Sequence, residues 1–279
     1  MTASIFDSKP LVTRMTEELR SEAAQFRRQH HRSARIAQVV VGHDAAAEVY
    51  SRQLVRSCRI IGLGCATLAY PFEIEEEELR TEVATLSEDP NTDGVVLLLP
   101  LPSHIRQRIV TDVLLPEKDI DGLGPRNAGN LLLGFPSFVP STADVVLTVL
   151  QDANIPIAGR NAVVVGRSNI GGKPVALTLI RQDATVTICH SHTQDLANIT
   201  RNADILVVST GRPASITGDM VKPGAVVLDA GINASGGKVV GDVDFNSVKE
   251  VASFLTPVPG GLGPLTHLML IRHALLGPQ

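Results

Sequence analysis

The sequence predicts a two-domain α/β protein built on mostly parallel sheets. Three observations predict it. The chain has 279 residues, apolar runs alternate with helix-period segments, and the second half holds a strand, a glycine-rich loop and a helix in direct succession.

In order along the chain, Arg35 to Val41 is a β-branched run closed by Gly42. Ala45 to Ile61 has helical period and stops at Gly62, and Cys65 to Ala69 reads as the next strand. From Glu75 an acidic first turn, favoured by the helix dipole, opens a helix that ends near Asp89-Pro90. Gly94 to Leu99 is a continuous apolar run bounded by Pro100, as a buried parallel strand requires. The second half repeats the rhythm with Asn161 to Val165, Thr185 to Cys189, Ile205 to Val208 and Ala225 to Leu228. A loop rich in Gly, Pro and Asn runs from Gly122, which places the domain boundary around Phe138 to Thr142. The expected domains are 1–139 and 140–265. The last helix, Thr266 to Leu276, lacks a strand to cross over to and is expected to return to the first domain, so 266–279 is counted with it.

Composition narrows the function. With 44% hydrophobic and 19% charged residues, the chain has apolar material for two cores and is not disordered. A net charge of −4 gives no basic patch for nucleic acid, and the absence of Trp removes a stacking platform. Cys58, Cys65 and Cys189 are odd in number and widely spaced, which reads as reduced thiols, not a disulfide framework or zinc site. Met1 to Pro10 lacks the basic start and apolar run of a signal peptide, and no apolar stretch approaches membrane-helix length. A cytoplasmic protein with no membrane partner is expected. The glycosylation-like triplet Asn198-Ile199-Thr200 then carries no meaning.

The strand Asn161 to Val165 runs into Gly166-Arg167-Ser168-Asn169-Ile170-Gly171-Gly172, then Lys173-Pro174 and a helix. This order sets backbone N–H groups and a helix N-terminus where a pyrophosphate can sit. The spacing is not G-x-G-x-x-G, and a tight turn without a ligand would look similar. Two features favour a nucleotide. Arg167 offers a bidentate fork to a phosphate. The next strand ends in His190-Ser191-His192-Thr193, without the acid that takes a ribose 2′-hydroxyl, so NADP is expected over NAD. A histidine satisfied within the core is the alternative for His190.

Several segments together resemble the methylenetetrahydrofolate dehydrogenase/cyclohydrolase family. They are Val41-Gly42 with Glu48-Val49-Tyr50, Leu99-Pro100-Leu101-Pro102, and Pro116-Glu117-Lys118-Asp119-Ile120-Asp121-Gly122. In the second half they are Val165 to Ile170, Gly172-Lys173-Pro174 and Pro257-Val258-Pro259-Gly260-Gly261-Leu262-Gly263-Pro264. The resemblance covers essentially the whole chain. It implies a catalytic first domain, a Rossmann-like NADP-binding domain with a parallel sheet, a tetrahydrofolate derivative bound in the cleft between them, and a homodimer. It implies hydride transfer from methylenetetrahydrofolate to NADP, followed by hydrolysis of the methenyl product. Tyr50 and Asp121 would be the catalytic residues, Asp121 bonding the pterin edge and Tyr50 lying on the benzoyl ring. Leu54, Leu97, Leu98, Leu99, Pro259, Gly260, Gly261, Leu262 and Gly263 would complete the substrate site. Gly166, Arg167, Ser168, Ser191 and Ile232 would line the cofactor, and no metal is implied.

The chain departs from the family pattern in its polar set. The family's Tyr-x-x-x-Lys is Tyr50-Ser51-Arg52-Gln53-Leu54, so leucine stands where the proton-transfer lysine belongs. Residues four apart share a helix face, and Arg52 and Arg56 point elsewhere. The family glutamine before Leu-Pro-Leu-Pro is Leu98, and Pro-Cys-Thr-Pro becomes Pro140-Ser141-Thr142-Ala143. His267 is also unusual, and either faces the cleft or is a solvent-facing helical histidine. Losing lysine and glutamine removes general acid–base capacity, whereas hydride transfer draws its chemistry from the nicotinamide. The leading reading is an NADP-dependent dehydrogenase with little cyclohydrolase activity. A repurposed paralogue acting on another C–N bond and a non-catalytic folate- or nucleotide-binding protein are the alternatives.

Overall fold

Strand runs and capping signals set the elements seen in the computed structural model, which describes residues 2–235 and 238–278. The first half holds β1 (Ser4–Ile5), α1 (Lys9–His30), β2 (Arg35–Val41), α2 (Ala45–Ile61) and β3 (Gly64–Tyr70). There follow α3 (Glu76–Glu88), β4 (Gly94–Leu97), α4 (Gln107–Thr111), α5 (Pro125–Leu133) and α6 (Ser141–Asp152). The second half begins with β5 (Asn161–Val165), α7 (Gly172–Ile180), β6 (Thr185–Cys189), α8 (Leu196–Thr200) and β7 (Ile205–Val208). It ends with β8 (Val226–Asp229), β9 (Asn233–Ser235), β10 (Lys238–Val240), α9 (Phe245–Val248), β11 (Phe254–Leu255) and α10 (Gly263–Leu276).

The chain divides into two units. One joins Met1–Val12 to Thr142–Thr266, and the other joins Thr13–Ser141 to His267–Gln279. The first contains a six-stranded parallel sheet in the order β1-β11-β8-β7-β5-β6. Its core is formed by the apolar runs themselves, including Val163, Val165, Leu206, Val208 and Val227. The second contains a three-stranded parallel sheet in the order β3-β2-β4. There Val39, Val41, Val95 and Leu97 pack on Leu79 and Val83 of α3.

Local chemistry explains why α2 starts and stops where it does. The Asp44 side chain accepts the Ala47 N–H at 2.8 Å, and Gly62 closes the helix at φ 103° with its N–H on the Cys58 carbonyl. Both ends were readable, and the helix bounds agree with the sequence reading. β2, β5, β6 and β7 also coincide with it, while β8 lies one residue later than expected.

Three features differ from the sequence reading. The 22-residue helix α1 precedes the first expected strand, and alternation of apolar runs gave no sign of it. The first twelve residues group with the second half instead of domain 1–139, because Ser4 and Ile5 pair in parallel with Phe254 and Leu255. A two-residue strand has no signature of its own; only its partner strand makes it one. The last helix begins at Gly263, and from His267 onward it belongs to the unit containing β2 to β4. Leu268, Met269, Leu270, Ile271 and Ala274 are all buried, as expected for a helix enclosed on most sides. The His273 ring nitrogen Nδ1 donates to the Ile120 carbonyl at 2.7 Å, and its ring lies 5.4 Å from that of Phe138. The return of this helix is therefore a structural fact.

Candidate functional site

In the six-stranded sheet, β5 lies between β6 and β7, so connections leave it in opposite directions. Ligands in open parallel sheets bind outside the carboxyl ends of the strands at such a switch point. Gly166 follows β5 there, at φ 138°, and a Cβ would collide with the Ser209 carbonyl oxygen beyond β7. Only glycine lets the two strand ends approach this closely. The loop is braced from within. Ser168 Oγ accepts the Gly171 N–H at 3.0 Å, its carbonyl accepts the Lys173 N–H at 3.1 Å, and Lys173 Nζ donates to Asn169 Oδ1 at 2.8 Å. Arg167, Ser168, Asn169 and Ile170 remain exposed ahead of the α7 N-terminus. Arg167 has no hydrogen bond or ion pair among the described residues.

At the end of β6, the His190 N–H donates to Thr193 Oγ1 at 2.8 Å and His190 Nδ1 accepts the His192 N–H at 3.2 Å. His190 is thus half-exposed and engaged in a turn, which overturns the reading of it as a core histidine. Ser191 is exposed on the same turn, and Ile232, 60% exposed, lies beyond β8. The first acid after this turn, Asp195, caps α8 by accepting the Asn198 N–H. Asp229 at the end of β8 is buried and accepts the N–H groups of Gly231, Asp242 and Val243. Burial pushes its carboxyl up to about 6, and Asp242 adds to the rise. Both carboxylates are committed to the fold, leaving hydroxyls and imidazoles at the β6 end.

The loop Pro259 to Gly263 belongs to the same unit as this sheet. Pro259 and Gly260 are exposed, Gly261 and Leu262 are buried, and Ser8 Oγ donates to the Gly260 carbonyl at 2.6 Å. That tie explains what the N-terminal segment contributes beside its short strand.

In the other unit, Tyr50 and Leu54 share one face of α2. Tyr50 is half-buried and Leu54 fully buried. Arg52 and Arg56 are exposed, with Arg52 3.6 Å from Glu48, so neither side chain shares the buried face that Leu54 occupies. Leu98 is buried just past β4. The Leu97 side chain belongs to the core cluster with Val39 and Val95, and that of Leu98 turns to the other side, because successive strand residues face opposite sides. Leu99 is half-buried and packs against that same cluster.

Asp121 is partly buried, and Oδ1 accepts the Ser141 N–H at 2.9 Å. Burial raises its pKa above the usual carboxylate range, while the Ser141 bonds and the nearby His273 pull the other way. Gly122 follows at φ 60°, where a Cβ would strike the Phe138 carbonyl oxygen. Asp119, two residues earlier, is structural. It accepts from Leu123 N, Gly124 N and Asn127 Nδ2, and burial pushes it up to about 6.

His267 is 4% exposed, which overturns the reading of it as a solvent-facing residue. Its ring centroid lies 4.6 Å from that of Tyr50 at a tilt of 41°. Nε2 has no hydrogen-bond partner among the described residues, and burial lowers the imidazole to about 4. The unfolded chain, near 6.5, then takes up the proton first, so stability is lost as pH falls from 6.5 towards 4. Replacing His267 by Phe removes that loss. Urea unfolding should show the variant's advantage growing by up to about 3 kcal/mol between pH 7.5 and 4; an advantage that stays constant would contradict it.

Two residues escaped the sequence reading. Gln38 is a polar side chain inside the apolar run of β2, fully buried, with Nε2 donating to Thr67 Oγ1 at 2.7 Å and Oε1 unpartnered among the described residues. Its signal was a lone amide in a β-branched strand. His273 was the second histidine of an otherwise apolar helix, and that pairing was the signal for it.

A nucleotide-type loop at a parallel-sheet switch point, in a chain whose second unit holds Asp121, His267 and Tyr50, defines a two-domain α/β enzyme of the dinucleotide-dependent class. Comparison with known proteins narrows the class. Residues 6–121 match the tetrahydrofolate dehydrogenase/cyclohydrolase catalytic domain, and residues 140–277 match the NAD(P)-binding domain of the same family. The bifunctional protein FolD of Polynucleobacter asymbioticus is 45% identical, over 99% of this chain and 97% of its own. The crystal structure of the bifunctional FolD methylenetetrahydrofolate dehydrogenase/cyclohydrolase from Campylobacter jejuni superposes with a TM-score of 0.94 at 36% identity, covering 99% of this chain and 98% of that one. The Trypanosoma brucei methylenetetrahydrofolate dehydrogenase-cyclohydrolase, solved with NADP and an inhibitor, gives 0.94 at 34% identity, covering 99% and 97%. The chain belongs to the tetrahydrofolate dehydrogenase/cyclohydrolase family.

Proposed function

We propose that this protein is an NADP-dependent methylenetetrahydrofolate dehydrogenase whose cyclohydrolase step is weak or lost. One contrast carries the reading: the nucleotide loop is intact, while buried leucines, Leu54 and Leu98, stand where the family pattern has its proton-handling lysine and glutamine. NADP fits the residues present. Gly166 keeps the loop open to close backbone approach, the α7 N-terminus offers N–H groups to the pyrophosphate, and Arg167 is free to take the 2′-phosphate. When bound, the nicotinamide supplies the hydride acceptor. Asp121 holds the pterin through its remaining acceptor capacity, Tyr50 supports the benzoyl ring, and the loop Pro259 to Gly263 offers backbone to the substrate. Leu98 and Leu99 contribute apolar surface.

The test is a spectrophotometric assay with methylenetetrahydrofolate and NADP, following NADPH and the methenyl product separately. NADPH formation without loss of the methenyl species is expected; absence of NADPH formation would reject the reading. Arg167→Ala should lower kcat/KM for NADP by roughly tenfold or more, the loss of a charge-assisted phosphate contact, and leave NAD nearly unchanged. Equal use of both cofactors by the wild type would reject the assignment of the 2′-phosphate to Arg167. A cytoplasmic homodimer completes the reading, supported by the resemblance and by three free thiols. Light scattering should then give twice 29.7 kDa.

A further inference from the structure

Resting on the dehydrogenase reading above, we propose that His267 is a substrate-facing residue, its unpartnered Nε2 directed to the folate's one-carbon bridge beside Tyr50. A polar side chain 96% removed from solvent lies in an apolar helix segment with one ring nitrogen unsatisfied among the described residues. Buried polar atoms are almost always paired, so an orphan marks a place where something else supplies the partner. The second observation is its neighbour. The ring packs on Tyr50, the residue of α2 assigned to the substrate's aromatic ring. Leu54, one turn further along the same face, carries no polar atom, and the nearby arginines are exposed.

The reaction explains why an uncharged acceptor suits this position. Hydride transfer breaks a C–H bond of the methylene bridge, and the electron pair leaves with the hydrogen to the nicotinamide ring. The N–C–N carbon is left as an amidinium cation, with its positive charge shared between two nitrogens, and no proton is released. A neutral imidazole presents a lone pair to that charge at no electrostatic cost. Burial lowers His267 to about 4, so it is uncharged at neutral pH. The same property makes it a poor acceptor for a proton from water, which is consistent with weak hydrolysis. His267 therefore serves the hydride step by electrostatics and by orienting Tyr50, with no proton transfer assigned to it.

Two variants of the full-length protein test this: His267→Phe and His267→Gln. Phe keeps the ring against Tyr50 but lacks the lone pair; Gln restores an acceptor. With methylenetetrahydrofolate and NADP, kcat should fall about tenfold or more in the Phe variant and recover partly with Gln. KM for NADP should be unchanged, and a deuterated methylene substrate should show a larger isotope effect in the Phe variant than in wild type. A folded Phe variant with kcat and isotope effect within twofold of wild type overturns the assignment while leaving the dehydrogenase reading intact. So does a loss that Gln fails to relieve. Wild-type protein without NADPH formation overturns both.

Discussion

Methenyltetrahydrofolate should accumulate when the wild-type protein oxidises methylenetetrahydrofolate, and should then decay at the enzyme-free rate. Hydrolysis needs a group that takes a proton from the attacking water, and such catalysis typically contributes ~10²–10⁴-fold. Leu54 is fully buried on α2 and Leu98 is buried past β4, so neither position offers a proton acceptor or holds a water. The exposed arginines on α2 do not reach inward, and His267 is held neutral with a low proton affinity. The double substitution Leu54→Lys with Leu98→Gln should restore hydrolysis by roughly tenfold or more over the wild type. A lysine at a fully buried position has its pKa lowered by desolvation, which brings it nearer the range of a useful base. Either change alone should recover less, because an unpaired buried charge or amide also destabilises the fold. Stopped-flow absorbance on added methenyltetrahydrofolate checks each variant. Wild-type hydrolysis well above background would contradict the prediction directly.

Asp121→Ala should weaken folate binding by roughly 1–3 kcal/mol or more, which is about 5- to 150-fold in Kd, by leaving the pterin donors unpaired. The residue has a second duty, because Oδ1 accepts the Ser141 N–H, so Ala also removes a fold contact. Asp121→Asn separates the two. It keeps a carbonyl oxygen for Ser141 but puts an amide donor where the pterin's own donors point. Asn should therefore unfold near the wild-type denaturant midpoint yet bind folate nearly as poorly as Ala. Calorimetry with tetrahydrofolate gives the affinities. Unchanged affinity in the Asn variant would place the ligand elsewhere or make it something other than a pterin.

How much of this was legible depends on whether the signal is local. The bounds of α2 follow from Asp44 and Gly62, and β5 and β7 from unbroken apolar runs, so both could be read from neighbours in sequence. The nucleotide loop was equally legible, because the strand, the glycines and Arg167 lie within a dozen residues. Leu54 and Leu98 were legible as departures only against a known family pattern. By contrast, β1 exists because Ser4 and Ile5 find β11 some 250 residues away, and no local rule encodes that pairing. Leu97, Leu98 and Leu99 are identical in type, and only the strand's register sends Leu97 into the core.

The histidines of the last helix mark the same division. Composition and spacing put His267 and His273 on α10, and the lack of a further strand indicated that the helix returns. Which side each histidine faces was not decided by sequence, because an apolar helix has little amphipathic contrast to orient it. Packing decided it, pressing one ring against Tyr50 and hydrogen-bonding the other to Ile120. The sequence by itself therefore determined the class of fold and the nucleotide loop, and it set leucine at 54 and 98. Tertiary structure alone decided that His267 is buried and neutral, with Nε2 unpartnered among the described residues, because burial and proton affinity are properties of surroundings brought together from distant parts of the chain.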